Sequence, residues 1–197
     1  MLGSEMAAIS KNRDMYRALF EAAPNDKFSV ARFDSGQEGP GVAHVVLLEK
    51  PVELPPASVL SLLWSREFVF IEEWDLETSK GMCKVWDYAL SGRYISNEFT
   101  RFVNRGAFSP ILPSVGIDRI KRCLQDVRFN YSSENEVPDN SFSERCAGQI
   151  KSLKEFHYRL TGFEFLQVFK ITDDWNAQSY FFETHLNFGY FSWGTSA

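Results

Sequence analysis

The chain has 197 residues and a formal charge of −5, from 21 basic and 26 acidic side chains. A hydrophobic share of 44% and an aromatic share of 15% exclude disorder for the chain as a whole, because disordered chains lack the apolar surface that drives collapse. Mild acidity argues against non-specific nucleic-acid binding, which needs a clearly basic surface. The length fits a single domain over residues 1–197 with room for a substantial core. No run of about 18 apolar residues is present, so no membrane-spanning helix is expected. Residues 1–17 carry Glu5, Lys11, Arg13 and Asp14 and no apolar leader segment, so no secretory signal is expected. Cys83, Cys123 and Cys146 are odd in number and far apart, which speaks against a disulfide framework and for a cytoplasmic protein with reduced thiols.

In chain order, Met15, Tyr16, Leu19 and Phe20 recur at helical spacing and predict a helix from Ser10 to Ala23, ended by Pro24. Phe28–Phe33 and Val42–Leu48 read as two strands joined by the glycine-rich stretch Asp34–Gly41. Gly36, Gly39 and Gly41 do not form a phosphate cradle, since a strand and not a helix N-terminus follows them. Pro56 opens a short helix through Trp64. Glu67–Trp74, rich in Phe, Val, Ile and Trp, then reads as a strand paired with Met82–Leu90 across the turn Glu77–Gly81.

Phe99, Phe102 and Val103 predict a helix ending at Asn104–Gly106 with a left-handed glycine cap. After a break marked by Pro110 and Pro113, Ile117, Ile120 and Leu124 line one face of another helix, with Asp118 in its first turn and Arg119 and Arg122 opposite. Arg128–Asn140 reads as an exposed loop. Ser141 and Glu144 make a capping-box pattern that opens a helix carrying Phe142, Cys146, Ile150, Leu153 and Phe156 as far as Thr161–Gly162. Phe163–Ile171, Gln178–Thr184 and Phe188–Trp193 predict a three-stranded meander, turning at Asp173–Asp174 with Asn176 and at His185–Asn187. Its adjacent aromatics, Phe181 beside Phe182 and Tyr190 beside Phe191, put rings on both faces. That demands helices on one side and a second layer or a partner on the other. Paired strands with interspersed helices imply an α+β fold with a mainly antiparallel sheet.

The chemistry-bearing residues are scattered. His44, His157 and His185 have no metal-ligand spacing, no nucleophile elbow occurs, and no cofactor fingerprint is present, so neither a cofactor nor a metal is expected. The densest cluster is Glu72, Glu73, Trp74 and Asp75, with Trp86 and Asp87 on the expected partner strand. In a strand, Glu73 and Asp75 would share a face. Aromatic anchors within an acidic rim suit a basic protein partner. The leading expectation is therefore a non-enzymatic protein-binding module, such as an inhibitor, an immunity-type protein or an adaptor. Its unpaired strand edges leave self-association open. One alternative is a small enzyme whose site joins His44 or His185 to these carboxylates. Another is an anion or nucleic-acid binder on the basic strip Arg101, Arg105, Arg119, Arg122 and Arg128, since residues 101–128 carry 6 basic and 2 acidic side chains.

Overall fold

A computed structural model describes residues 2–12, 28–34, 42–50, 52–78, 92–129 and 164–194. The described elements are α1 (Leu2–Lys11), β1 (Phe28–Asp34), β2 (Val42–Glu49), α2 (Pro56–Thr78), α3 (Gly92–Arg105), β3 (Ser109–Ile111), α4 (Pro113–Phe129), β4 (Phe165–Asp174), β5 (Ala177–Thr184) and β6 (Asn187–Gly194). The six strands form one sheet in the order β1-β2-β6-β5-β4-β3, and every neighbouring pair is antiparallel. The class is α+β, with the C-terminal meander as expected. No helix among the described residues is long and apolar enough to cross a membrane.

Alternation along the strands builds two cores from one sheet. On face A, Val46, Leu48, Ile171, Phe181, Phe188 and Tyr190 pack against α1, α2 and α3 through Met6, Leu60, Leu63, Trp64 and Phe99. On face B, Val45, Leu47, Val168, Tyr180, Phe182 and Phe191 pack against α4 through Ile120 and Cys123. Each large apolar side chain buried in this way contributes roughly 1.5–3 kcal/mol. Gly189 lies opposite Phe182 in the register, where a Cβ would stand 2.1 Å from that ring. Glycine there lets the Phe182 ring lie across β6 and stack on Phe165 at 4.7 Å.

The largest correction concerns residues 67–74. They are not a strand, because α2 continues from Pro56 through Thr78. The first half, expected as a short helix from Pro56 to Trp64, is buried from Ala57 to Trp64, and the helix continues beyond it instead of stopping there. The aromatic and β-branched content of residues 67–74 imitates a strand, but no Gly or Pro interrupts the helix after Pro56. The expected partner strand Met82–Leu90 lies outside the described residues.

Four smaller differences are local. The first helix occupies Leu2–Lys11, while most of the segment expected to be helical, from residue 13 on, lies outside the description. Pro113 opens α4 at its first position, so Asp118 falls beyond the first turn. Gly106 is not the left-handed residue: the positive φ, 46°, belongs to Phe108, and a Cβ on Gly106 would meet the Phe108 ring at 2.5 Å. Pro110 sits in β3, an edge strand, where a residue without an N–H is tolerated. The loop expected from residue 130 and the helix expected over residues 141–161 also lie outside the described residues, as do Cys83, Cys146 and His157.

Candidate functional site

The acidic-aromatic residues singled out above do not form a hairpin. Glu72, Glu73, Trp74 and Asp75 lie in the last turns of α2, and Trp86 and Asp87 lie outside the described residues. Successive helical positions turn by about 100°, so positions 73 and 75 are about 200° apart and cannot share a face as they would in a strand. The basic strip is also divided. Arg101 and Arg105 belong to α3 on face A, whereas Arg119, Arg122 and Arg128 belong to α4 on face B. Arg101 and Arg105 therefore lie across the sheet from Arg119 and Arg122, and Arg101 already pairs with Glu98.

What the fold does bring together is a buried polar row on face A. His44 on β2, Ser192 on β6 and Ser179 on β5 are successive register partners across the sheet. From α2 above them, Glu67, only 5% exposed, places Oε1 3.4 Å from His44 Nδ1 and accepts the Ser192 hydroxyl. Burial pushes the Tyr190 phenol well above its ordinary range, and the Glu67 charge adds to that, while the Ser179 hydroxyl works against it. A serine, an imidazole and a carboxylate are all present. However, the carboxylate stands between the other two, so it is Glu67 and not His44 that receives the Ser192 proton donor. Nucleophile activation needs the imidazole in that place. The row acts as a polar clamp holding α2 on β2 and β6.

At one end of the sheet, Lys50 closes the β5–β6 connection. Its ammonium lies 2.6 Å from Glu183 Oε1 and 2.7 Å from the Thr184 carbonyl, with the Phe188 ring 4.5 Å away. Burial raises the Glu183 carboxyl, but hydrogen bonds from Lys50 and Gln167 outweigh it and leave it lowered. Thr184 Oγ1 accepts from the backbone of Leu186 and Asn187, which fixes the turn. His185 and Leu186 are exposed beside this ion pair, in a shallow depression also lined by Val52 and Phe188.

The opposite end carries the β4–β5 turn, and here the sequence reading missed a residue. Asp173, Asp174 and Asn176 mark the turn in the sequence, and the residue among them, Trp175, is 79% exposed. Asp174 and Ala177 are register partners, so Trp175 and Asn176 alone make the connection. The hairpin behind it is rigid: β5 is central in the sheet, and Tyr180, Phe181 and Phe182 are all buried. A tryptophan inside a two-residue turn was the available signal, because a two-residue turn has no interior in which to bury an indole.

A β-bulge shapes the base of this hairpin. Residues three apart in a regular strand face opposite sides. The register shift between Lys170 and Thr172 inserts one residue, so Lys170, partnered with Tyr180, and Asp173, partnered with Gln178, both face side B. Asp173 Oδ2 then lies 3.0 Å from Lys170 Nζ and 2.6 Å from Arg119 Nη1 of α4. Burial alone would raise the Asp173 carboxyl, but the Lys170 and Arg119 hydrogen bonds prevail and lower it. Tyr180 donates 2.9 Å to Gln178 Oε1, and the Cys123 thiol contacts the same oxygen at 3.4 Å.

Among the described residues, no group of three or more His, Cys, Asp or Glu side chains is arranged to hold a metal ion. No protein-family model matches the chain, and no curated protein or solved structure is detectably similar to it.

Proposed function

We propose that this protein is a non-enzymatic protein-binding module that engages its partner through the β4–β5 hairpin tip, with Trp175 as the anchor. The observation that carries the reading is the exposure of a whole indole on a two-residue turn. Tryptophan is the side chain most enriched at interface hot spots, and a rigid support lowers the entropy lost on docking. The partner fits as a protein with an apolar pocket that receives the ring. A net charge of −5, with Asp174 exposed beside Trp175, favours encounter with a basic partner. Inhibition, immunity-type neutralisation and adaptor function all work by such occlusion and need no bond chemistry.

The test is affinity capture from the native host with the wild-type chain and the Trp175→Ala chain side by side, followed by affinity measurement on what is retained. Because Trp175 is exposed, the substitution should leave the unfolding free energy within about 0.5 kcal/mol of wild type. Loss of a hot-spot anchor should weaken the partner's binding by about thirtyfold or more, corresponding to at least about 2 kcal/mol. Equal retention of every captured protein by both chains would remove the hairpin tip as the interface.

A further inference from the structure

We propose that Arg119 of α4 is a positioning residue for Trp175: its guanidinium ties the two arms of the β4–β5 hairpin together and so fixes the direction in which the tip presents the indole. The proposal rests on the Trp175 reading and names what holds that site in place.

The sheet holds the two arms unequally. β5 is paired with β6 from Glu183 as far as Ala177, next to the tip. β4 has β3 on its outer side only at Val168–Lys170. Among the described residues, the Ala107 amide donating to the Ile171 carbonyl at 2.9 Å is the last backbone bond on that side. Past it, Thr172, Asp173 and Asp174 pair with β5 alone. The bulge between Lys170 and Thr172 interrupts the ladder just before this stretch. A strand end paired on one side only, beyond a break in its ladder, is where a sheet opens most easily. Trp175 follows directly on it.

Arg119 meets both arms at this point. Its Nη1 donates to Asp173 Oδ2 at 2.6 Å, on the loosely held arm. The same guanidinium donates to the Tyr180 hydroxyl, on the firmly held arm. Tyr180 is fully buried, and its own proton goes to Gln178 Oε1, so that end of the tie is fixed. Only a fork of several donors can serve two acceptors on different strands at once, and a guanidinium supplies one. α4 itself is seated on face B by Ile120 and Cys123, on either side of the next turn. Lys170 also pairs with Asp173, but from within β4, so it ties that arm to nothing else. A partly exposed ion pair of this kind shifts an equilibrium by up to about fivefold. That is enough to order an exposed tip and too little to decide whether the domain folds. An anchor held in its docking direction loses less entropy on binding.

The experiment measures backbone amide hydrogen exchange in the free full chain, wild type and Arg119→Gln. Arg119 is 36% exposed, so the variant should fold normally. The substitution is expected to speed exchange about threefold to fivefold at residues 172–177 and to leave residues 180–182 unchanged. No change at residues 172–177 overturns the proposal. Equal acceleration at both sets overturns it too, because Arg119 would then stabilise the domain as a whole. The partner retained in the capture experiment is titrated with the same two chains and with Trp175→Ala. Its affinity should fall about threefold to fivefold in Arg119→Gln, less than the thirtyfold expected for loss of the anchor. Binding weakened in Trp175→Ala but not in Arg119→Gln overturns the positioning role and leaves the anchor standing. Binding unchanged in both removes the tip as the interface and the proposal with it.

Discussion

The two faces of the sheet each bury a polar cluster, built in part from alternate residues of β5 and β6, but the clusters differ in how they are sealed. On face A, Glu67, His44 and Ser192 lie under α2, and Glu67 is 5% exposed. On face B, Tyr180 and Gln178 lie behind Arg119, Lys170 and Asp173, whose side chains reach solvent. Where water is excluded, a charge must be matched within the protein, and the cluster becomes a clamp. Where water enters, solvent screens the charges, and the cluster adds less to stability. Burial, more than residue type, decides how much each cluster holds its helix to the sheet.

The largest expected effect breaks the sealed side. Glu67→Ala removes the acceptor of the Ser192 hydroxyl, leaves His44 without its facing carboxylate and opens space beneath α2. Losing one partner of a buried pair costs about 3–5 kcal/mol, so the denaturant midpoint should fall by an amount that corresponds to this range. Were the loss below about 1 kcal/mol, as at a solvated surface position, the clamp would be refuted. Next in size is Gly189→Ala. The new methyl group would overlap the Phe182 ring, and overpacking of this kind costs about 1–3 kcal/mol. Thermal unfolding would measure it, and a neutral result would mean that Phe182 can leave its stack on Phe165. The open side should respond less. Tyr180→Phe removes one hydroxyl that contacts Gln178 and Arg119, and should cost about 1 kcal/mol in the same assay.

How legible each region was follows from the same contrast. The meander was readable because its strands are short, closely spaced and bounded by turn residues. Phe181–Phe182 and Tyr190–Phe191 rightly demanded cover on both faces, and α4 supplies it on face B. Residues 67–74 read as a strand because Phe, Val, Ile and Trp fill that stretch, whereas α2 runs on from Pro56 without a Gly or Pro to end it. The clamp was invisible for a further reason: His44, Glu67 and Ser192 are joined only by the strand register and the placement of α2. Of the basic strip, Arg119 pairs with Asp173 on face B while Arg101 pairs with Glu98 within α3, because α3 and α4 cover opposite faces. Lys170, which completes the pair of cations, depends on a bulge that no local pattern announced.

The smallest expected effect sharpens the comparison through pH. The Asp173 carboxyl is lowered in the folded chain, because hydrogen bonds from Lys170 and Arg119 overcome the opposing effect of burial. A depressed carboxyl binds its proton less readily when folded than when unfolded. Its contribution to stability is therefore complete above the ordinary carboxyl range, near pH 4, and is lost as pH falls through the lower folded value. Asp173→Asn should lower stability at neutral pH by at most about 1 kcal/mol, as for a partly exposed pair, and the two chains should converge as pH falls through the folded value, which flattens part of the acid limb of the variant's stability-against-pH curve. Added salt should shrink the difference between the two chains, since the pair reaches solvent. The Glu67 clamp, sealed from solvent, should be nearly indifferent to the same salt. If salt weakened both clusters alike, the distinction between a sealed face and an open one would fail.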